Sequence, residues 1–143
     1  MGTPSISFRS VCILIIGSTA THNLYPGEFA YRVTKCALNP YTECLAAEMA
    51  PFGIRVNTII PGLFLTRMTA GLDFEGEMLK KVLAEIPLRK PGDAFRDLGP
   101  AAILLLSDKL SGYTTGASLV IDGGISLRVL PWRTEKELRE MNQ

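Results

Sequence analysis

The chain has 143 residues, 47% of them hydrophobic, enough for the core of one domain with little surplus for a second. Its 15 basic and 14 acidic residues leave a formal charge of +1 with no basic run, so nothing in it reads as a surface for nucleic acid or anionic membrane. Cys12, Cys36 and Cys44 show neither metal-ligand spacing nor a disulfide framework, and read as small buried hydrophobes of a reducing compartment.

Residues 1–10 are polar and turn-like, and the apolar run Val11 to Ile16 is too short to cross a bilayer. One arginine ahead of an apolar stretch imitates a signal peptide. The β-branched Val11, Ile13, Ile15 and Ile16, halted by Gly17, fit a buried strand better. A cytoplasmic protein without a targeting segment is therefore expected. Ser18 stands at the carboxyl end of that strand, where open parallel sheets place their ligands. The loop 19–30 holds the only histidine, His22, with Tyr25 and the turn pair Pro26-Gly27. Read from the residues, His22 is a solvent-exposed loop histidine.

A helix is expected over residues 29–50, with Leu38, Tyr41, Leu45 and Met49 forming one apolar stripe and Pro51 and Gly53 marking its end. Pro40 is out of place inside it, because proline removes a backbone hydrogen bond and clashes with the preceding turn. The same helix carries Tyr31-Arg32-Val33-Thr34-Lys35. Positions four apart share a face, so the Tyr31 phenol and the Lys35 ammonium enter the same space. A fixed cation beside a phenol favours the phenolate and suits the tyrosine to acid/base work. Tyr25 has no such partner, since Phe29 stands four places on. Taken alone, a tyrosine and lysine at this spacing are more often an ordinary surface pair.

A second buried strand is expected over residues 54–60, interrupted by the polar Arg55 and Asn57 and stopped by Pro61-Gly62. Glycine there lets backbone approach whatever occupies the cleft. Residues 68–86 mix Leu72, Phe74, Met78, Leu79, Val82 and Leu83 with charged residues and read as a partly helical lid. Its apolar residues either face a substrate or pack on the domain. Residues 87–92 form a turn-rich connector, and residues 98–107 a short apolar helix with Gly99-Pro100 near its start. The last strand, residues 118–122, is nearly continuous apolar sequence, as expected when both faces are covered. In the tail, Thr134 and Glu137 form a capping-box pattern for a short helix over residues 135–141, with Trp132 as an anchor. The tail either packs on its own domain or reaches a neighbouring subunit.

Together, Ser18 thirteen residues before Tyr31, the Tyr31/Lys35 pair, the strand ending in Pro61-Gly62 with Thr66 beyond it, and Tyr113-Thr114-Thr115-Gly116 leading to Asp122-Gly123-Gly124 form a specific combination. From about Val11 to Gly124 the chain resembles the carboxyl-terminal half of the short-chain dehydrogenase/reductase family. The resemblance implies an α/β, Rossmann-like, doubly wound parallel sheet, here about three strands with flanking helices. Residues 1–124 would belong to that domain and residues 125–143 to the tail.

It also implies hydride transfer between NAD or NADP and an alcohol or ketone, without a metal. Tyr31 would exchange the proton with the substrate oxygen. Lys35 would favour the Tyr31 phenolate and hold a ribose hydroxyl, and Ser18 would stabilise charge building on the oxygen. Pro61, Gly62, Leu63 and Thr66 would meet the nicotinamide end of the cofactor. Thr19, His22, Tyr25, Met68 and Leu72 would line the substrate pocket. The long helix would pack against its twin, giving a homodimer or tetramer.

No glycine-rich GxGxxG or TGxxxGxG turn occurs, nor the family's Asn-Asn-Ala-Gly segment. The resemblance therefore implies a truncated chain lacking the nucleotide-binding half, with the edge of its first strand open. The alternative from another class is a non-catalytic remnant acting as a dimerising or regulatory module.

Overall fold

The computed structural model describes residues 11–22, 27–66, 69, 76–127 and 140. Three parallel strands, β1 (Val11–Ile16), β2 (Ile54–Pro61) and β3 (Ser118–Ile121), lie side by side in the order β1-β2-β3. Val11 stands opposite Ile54 and Ile16 opposite Ile59, while Thr58 stands opposite Ser118 and Pro61 opposite Ile121. Parallel pairing puts all three carboxyl ends on one edge of the sheet. This is the α/β, Rossmann-like arrangement the sequence implies.

The middle strand forms the core. Val56, Ile59 and Ile60 are buried, and so are Arg55, Asn57 and Thr58. The polar residues do not interrupt the strand as the sequence reading expected; each is built into it. Side chains alternate between faces along a strand, so Arg55, Asn57 and Ile59 share one face and Val56, Thr58 and Ile60 the other. On the first face lie α4 (Gly99–Leu106) and α5 (Asp108–Ser111). Arg55 donates from Nε to Asp108 Oδ1 at 3.0 Å and from Nη1 to the Leu105 carbonyl at 2.9 Å. Asn57 donates to the Thr114 carbonyl at 2.9 Å and accepts from the Ala117 amide at 3.0 Å.

Against the second face packs α2 (Leu38–Met49), where Thr42 and Thr58 share a hydroxyl hydrogen bond at 2.5 Å. The expected stripe holds in part, with Leu38, Leu45 and Met49 half-buried. Thr42 and Ala46 are the buried residues of α2, whereas Tyr41 is 54% exposed. Small side chains let the helix sit close enough for the two hydroxyls to meet, which bulky residues at those positions would prevent.

The expected long helix is divided into α1 (Phe29–Cys36) and α2, with Ala37 between them. Pro40 supplies the reason: it has no N–H for the Cys36 carbonyl, and the regular pattern resumes with Tyr41 N–H to the Ala37 carbonyl at 3.1 Å. The break lies beyond Lys35, so Tyr31 and Lys35 share one unbroken helix. A 3₁₀ turn, Ala50–Phe52, then ends at Gly53, whose φ of +70° turns the chain into β2 at little steric cost.

The outer strands are less covered than the sequence suggested. Val120 in β3 is 39% exposed, and burial alternates along that strand where cover on both faces was expected. The end residues of β1, Val11 and Ile16, are also exposed. Within the stretch read as a lid, α3 spans Glu77–Glu85. The helix expected over 98–107 is α4, preceded by a wide π turn, Ala94–Leu98, that Asp93 caps by accepting from the Phe95 and Arg96 amides. Of the tail helix only Glu140 is described, in helical conformation, and the Trp132 anchor and residues 1–10 lie outside the described residues.

Candidate active site

The site is built where β1 ends. Gly17 donates its amide to the Ile59 carbonyl at 2.8 Å, tying the strand exit to the middle of the sheet. Ser18 leaves that exit in an extended conformation and caps a 3₁₀ turn, Thr19–Thr21, its Oγ accepting from the Ala20 amide at 3.1 Å. Thr21 Oγ1 donates back to the Ser18 carbonyl at 2.9 Å. The serine is therefore held from both sides, while among the described residues no acceptor takes its own hydroxyl hydrogen.

Helix α1 brings up the other two groups. Lys35 Nζ lies 5.8 Å from the centroid of the Tyr31 ring, within cation–π range. The same ammonium donates to the Ile16 carbonyl at 2.8 Å, so it is fastened to the last residue of β1. An ammonium has three donors, and among the described residues the other two meet no acceptor. Among the same residues the Tyr31 hydroxyl has no hydrogen-bond partner. Three half-buried polar side chains thus flank one strand end with hydrogen-bonding capacity unspent.

Other residues singled out from the sequence fall as follows. Thr19 is 5% exposed, inside the turn, and His22 is exposed at its end, with Nδ1 3.0 Å from Thr21 Oγ1. Pro61 ends β2, and the Gly62 amide donates to the Ile121 carbonyl at 2.9 Å. A Cβ at Gly62 would stand 2.7 Å from Asp122 Cα, so it is the neighbouring chain after β3 that demands glycine there. Leu63 lines a small cleft with Phe64, Leu88, Pro91 and Asp122, and that lining does not include Ser18, Tyr31 or Lys35. Thr66 is exposed, its amide bonded to Thr69 Oγ1 at 2.9 Å. Tyr25, Met68 and Leu72 lie outside the described residues.

Two groups escaped the sequence reading. Arg32 reaches back from α1 and donates to the carbonyls of Ala20 at 2.8 Å and Thr21 at 3.2 Å. The signal was an arginine beside the tyrosine of a helix that follows a short turn, but the turn itself was not foreseen. Asp122, at the exit of β3, accepts from the Gly124 amide at 2.7 Å and the Ser126 amide at 2.9 Å. Burial alone would raise its carboxyl. Hydrogen bonds from Ser126 and Gly124, with attraction from His22, outweigh that and hold it below the ordinary carboxylate value.

A family model described as "Enoyl-(Acyl carrier protein) reductase" matches residues 6–126. The chain belongs to the short-chain dehydrogenase/reductase family. It is 35% identical over 112 residues to the carbonyl reductase [NADPH] 2 of Sus scrofa, covering 78% of this chain and 45% of that protein. With the oxidoreductase UcpA of Escherichia coli O157:H7 it shares 41% identity over 132 residues, covering 87% and 49%.

Among solved structures, a short-chain dehydrogenase/reductase of Serratia marcescens superposes with a TM-score of 0.70 at 33% identity, covering 80% of this chain and 45% of that one. A Haemophilus influenza protein described as a D-Mannonate oxidoreductase, solved with bound NAD, gives 0.74 at 27% identity, with 83% and 44% covered. The chain spans about half the length of the curated short-chain dehydrogenase/reductase relatives it matches. No helix among the described residues is long and apolar enough to cross a membrane, and no cluster of metal-ligating side chains occurs among them.

Proposed function

We propose that this chain carries the proton-transfer side of an NAD- or NADP-dependent oxidoreductase that interconverts an alcohol and a ketone. The observation behind this reading is the unspent hydrogen-bonding capacity of Ser18, Tyr31 and Lys35 at one strand end. At half-buried positions water meets such groups, and a ligand that displaces it finds their donors already in place.

The residues fit a dinucleotide through Lys35. With one donor fixed on the Ile16 carbonyl, the ammonium offers its others to a ribose hydroxyl without losing its place. When bound, the nicotinamide supplies or accepts the hydride. Tyr31 gives its proton to the carbonyl oxygen on reduction and takes the hydroxyl proton on oxidation, so the proton balances the hydride. Ser18 donates its free hydroxyl hydrogen to the same oxygen and stabilises charge building there, and the Lys35 ammonium stabilises the phenolate left when Tyr31 gives up its proton. Pro61, Gly62, Leu63 and Thr66 are assigned to the nicotinamide side, and Thr19, His22, Tyr25, Met68 and Leu72 to the substrate side.

The exposed face of α1 and α2, with Phe29, Val33 and Tyr41, is assigned to a homo-oligomer contact. The expected location is the cytoplasm.

The test is spectrophotometric. The full protein, given NADH or NADPH and a panel of ketones, should oxidise one cofactor. Tyr31→Phe should lower kcat by at least about a hundredfold, the scale of lost general acid catalysis. Near-normal turnover by that variant would move proton transfer to another group.

A further inference from the structure

We propose that Arg32 is a positioning residue, whose guanidinium sets where the Ser18 hydroxyl stands relative to the Tyr31 phenol. The proposal rests on the reading of Ser18 and Tyr31 as partners at one substrate oxygen. The 3₁₀ turn after β1 uses up two of its carbonyls internally: Ser18 accepts from the Thr21 amide at 3.2 Å and Thr19 from the His22 amide at 2.8 Å. Among the described residues the turn's own amides do not reach the carbonyls of Ala20 and Thr21, which stand at its carboxyl end as at any helix terminus. Arg32 takes both, Nη1 on Ala20 at 2.8 Å and Nη2 on Thr21 at 3.2 Å. A planar fork spans two adjacent carbonyls, whereas a lysine ammonium meets such a pair as a single point charge.

The consequence is geometric. Arg32 is the next residue after Tyr31 on α1, so its backbone moves with that of the phenol. At the other end of the clamp, the Ala20 amide donates to Ser18 Oγ. One side chain therefore fastens the turn that carries the hydroxyl to the helix that carries the phenol. Without it the turn is free to rock on the strand end, and its cap, the Ala20 amide on Ser18 Oγ, opens more often. A displacement of about 1 Å between reacting groups is enough to cost on the order of a hundredfold in rate.

The experiment compares wild type, Arg32→Met, Arg32→Lys and Tyr31→Phe in the full protein, using NADH and NADPH with the ketone panel and amide hydrogen exchange by NMR. Arg32→Met is expected to lower kcat by about tenfold to a hundredfold. Its KM for the cofactor should stay within about twofold, because Lys35 remains fastened to Ile16. Exchange at the Ala20 amide should rise by about tenfold or more while the Ile59 amide in β2 stays protected, showing local release in an intact fold. Arg32→Lys should recover part of kcat and part of the Ala20 protection together. If Arg32→Met does not fold, the lysine variant carries the same comparison.

A wild-type kcat in Arg32→Met would overturn the proposal. So would unchanged Ala20 exchange, or a loss expressed only in the cofactor KM. A wild-type protein inert toward every ketone, or a Tyr31→Phe variant as fast as wild type, would overturn the functional reading instead. The Ala20 exchange would still decide whether Arg32 holds the turn.

Discussion

Strand β2 and the exit of β1 are built from similar polar side chains put to opposite use. In β2, Asn57 donates to Thr114 and accepts from Ala117, Thr58 pairs with Thr42, and Arg55 reaches Asp108 and the Leu105 carbonyl. Among the described buried side-chain atoms, only Arg55 Nη2 lacks a partner. At the exit of β1, Ser18, Tyr31 and Lys35 are half-buried and each keeps capacity unspent. A buried polar group left unpaired costs about 1–3 kcal/mol, so the core saturates its own. At a cleft edge water supplies the partner until a ligand does, so unspent capacity is tolerated there. Saturation suits a scaffold, and the spare capacity at the strand exit is what the proposed proton transfer would use.

The contrast is broken most directly by stability measurements. Asn57→Ala should lose about 1–3 kcal/mol in urea unfolding, because it takes the partner of the Ala117 amide and leaves the Thr114 carbonyl only its 3.3 Å bond from Arg55 Nη1. Tyr31→Phe, which removes a hydroxyl with no protein partner among the described residues, should change stability by less than about 0.5 kcal/mol while abolishing turnover. A large stability loss in Tyr31→Phe would show that the phenol is scaffold after all. Thr42→Val should cost about 1–2 kcal/mol, because it removes the bonds of Thr42 to the Leu38 carbonyl and to Thr58 and leaves the buried Thr58 hydroxyl unpaired among the described residues.

The smallest expected effect belongs to Asp122. Its folded carboxyl lies below the unfolded value, so its contribution is present above an unfolded pKa of about 3.9 and is lost as pH falls through the folded pKa. Asp122→Asn should therefore lower Tm modestly at neutral pH and leave it less changed at the acid end. A Tm difference that grows on acidification would reverse that sign and remove Asp122 from the account.

Much of this was legible in the chain itself. The strands are apolar, β-branched runs punctuated by Gly17, Gly53 and Pro61-Gly62, and such local signals do not depend on distant contacts. Helical spacing put Tyr31 and Lys35 on one face, and Pro40 announced a break. What could not be read were the partners of polar residues far apart in sequence. Arg55 and Asn57 looked like interruptions because their acceptors lie 50 or more residues away. The stripe of α2 missed Thr42 and Ala46 and took in the exposed Tyr41, because the close fit of Thr42 on Thr58 depends on the sheet beneath it. Arg32 had no visible role because its acceptors, the Ala20 and Thr21 carbonyls, lie 12 and 11 residues back in a turn the sequence did not announce.

The sequence by itself determined the parallel α/β class, the pairing of phenol with ammonium and the serine at a strand tip, since each follows from local periodicity and chain punctuation. Tertiary structure alone decided which polar groups are saturated and which keep capacity to spare. Hydrogen-bond satisfaction is a property of neighbours in space, and folding chooses them.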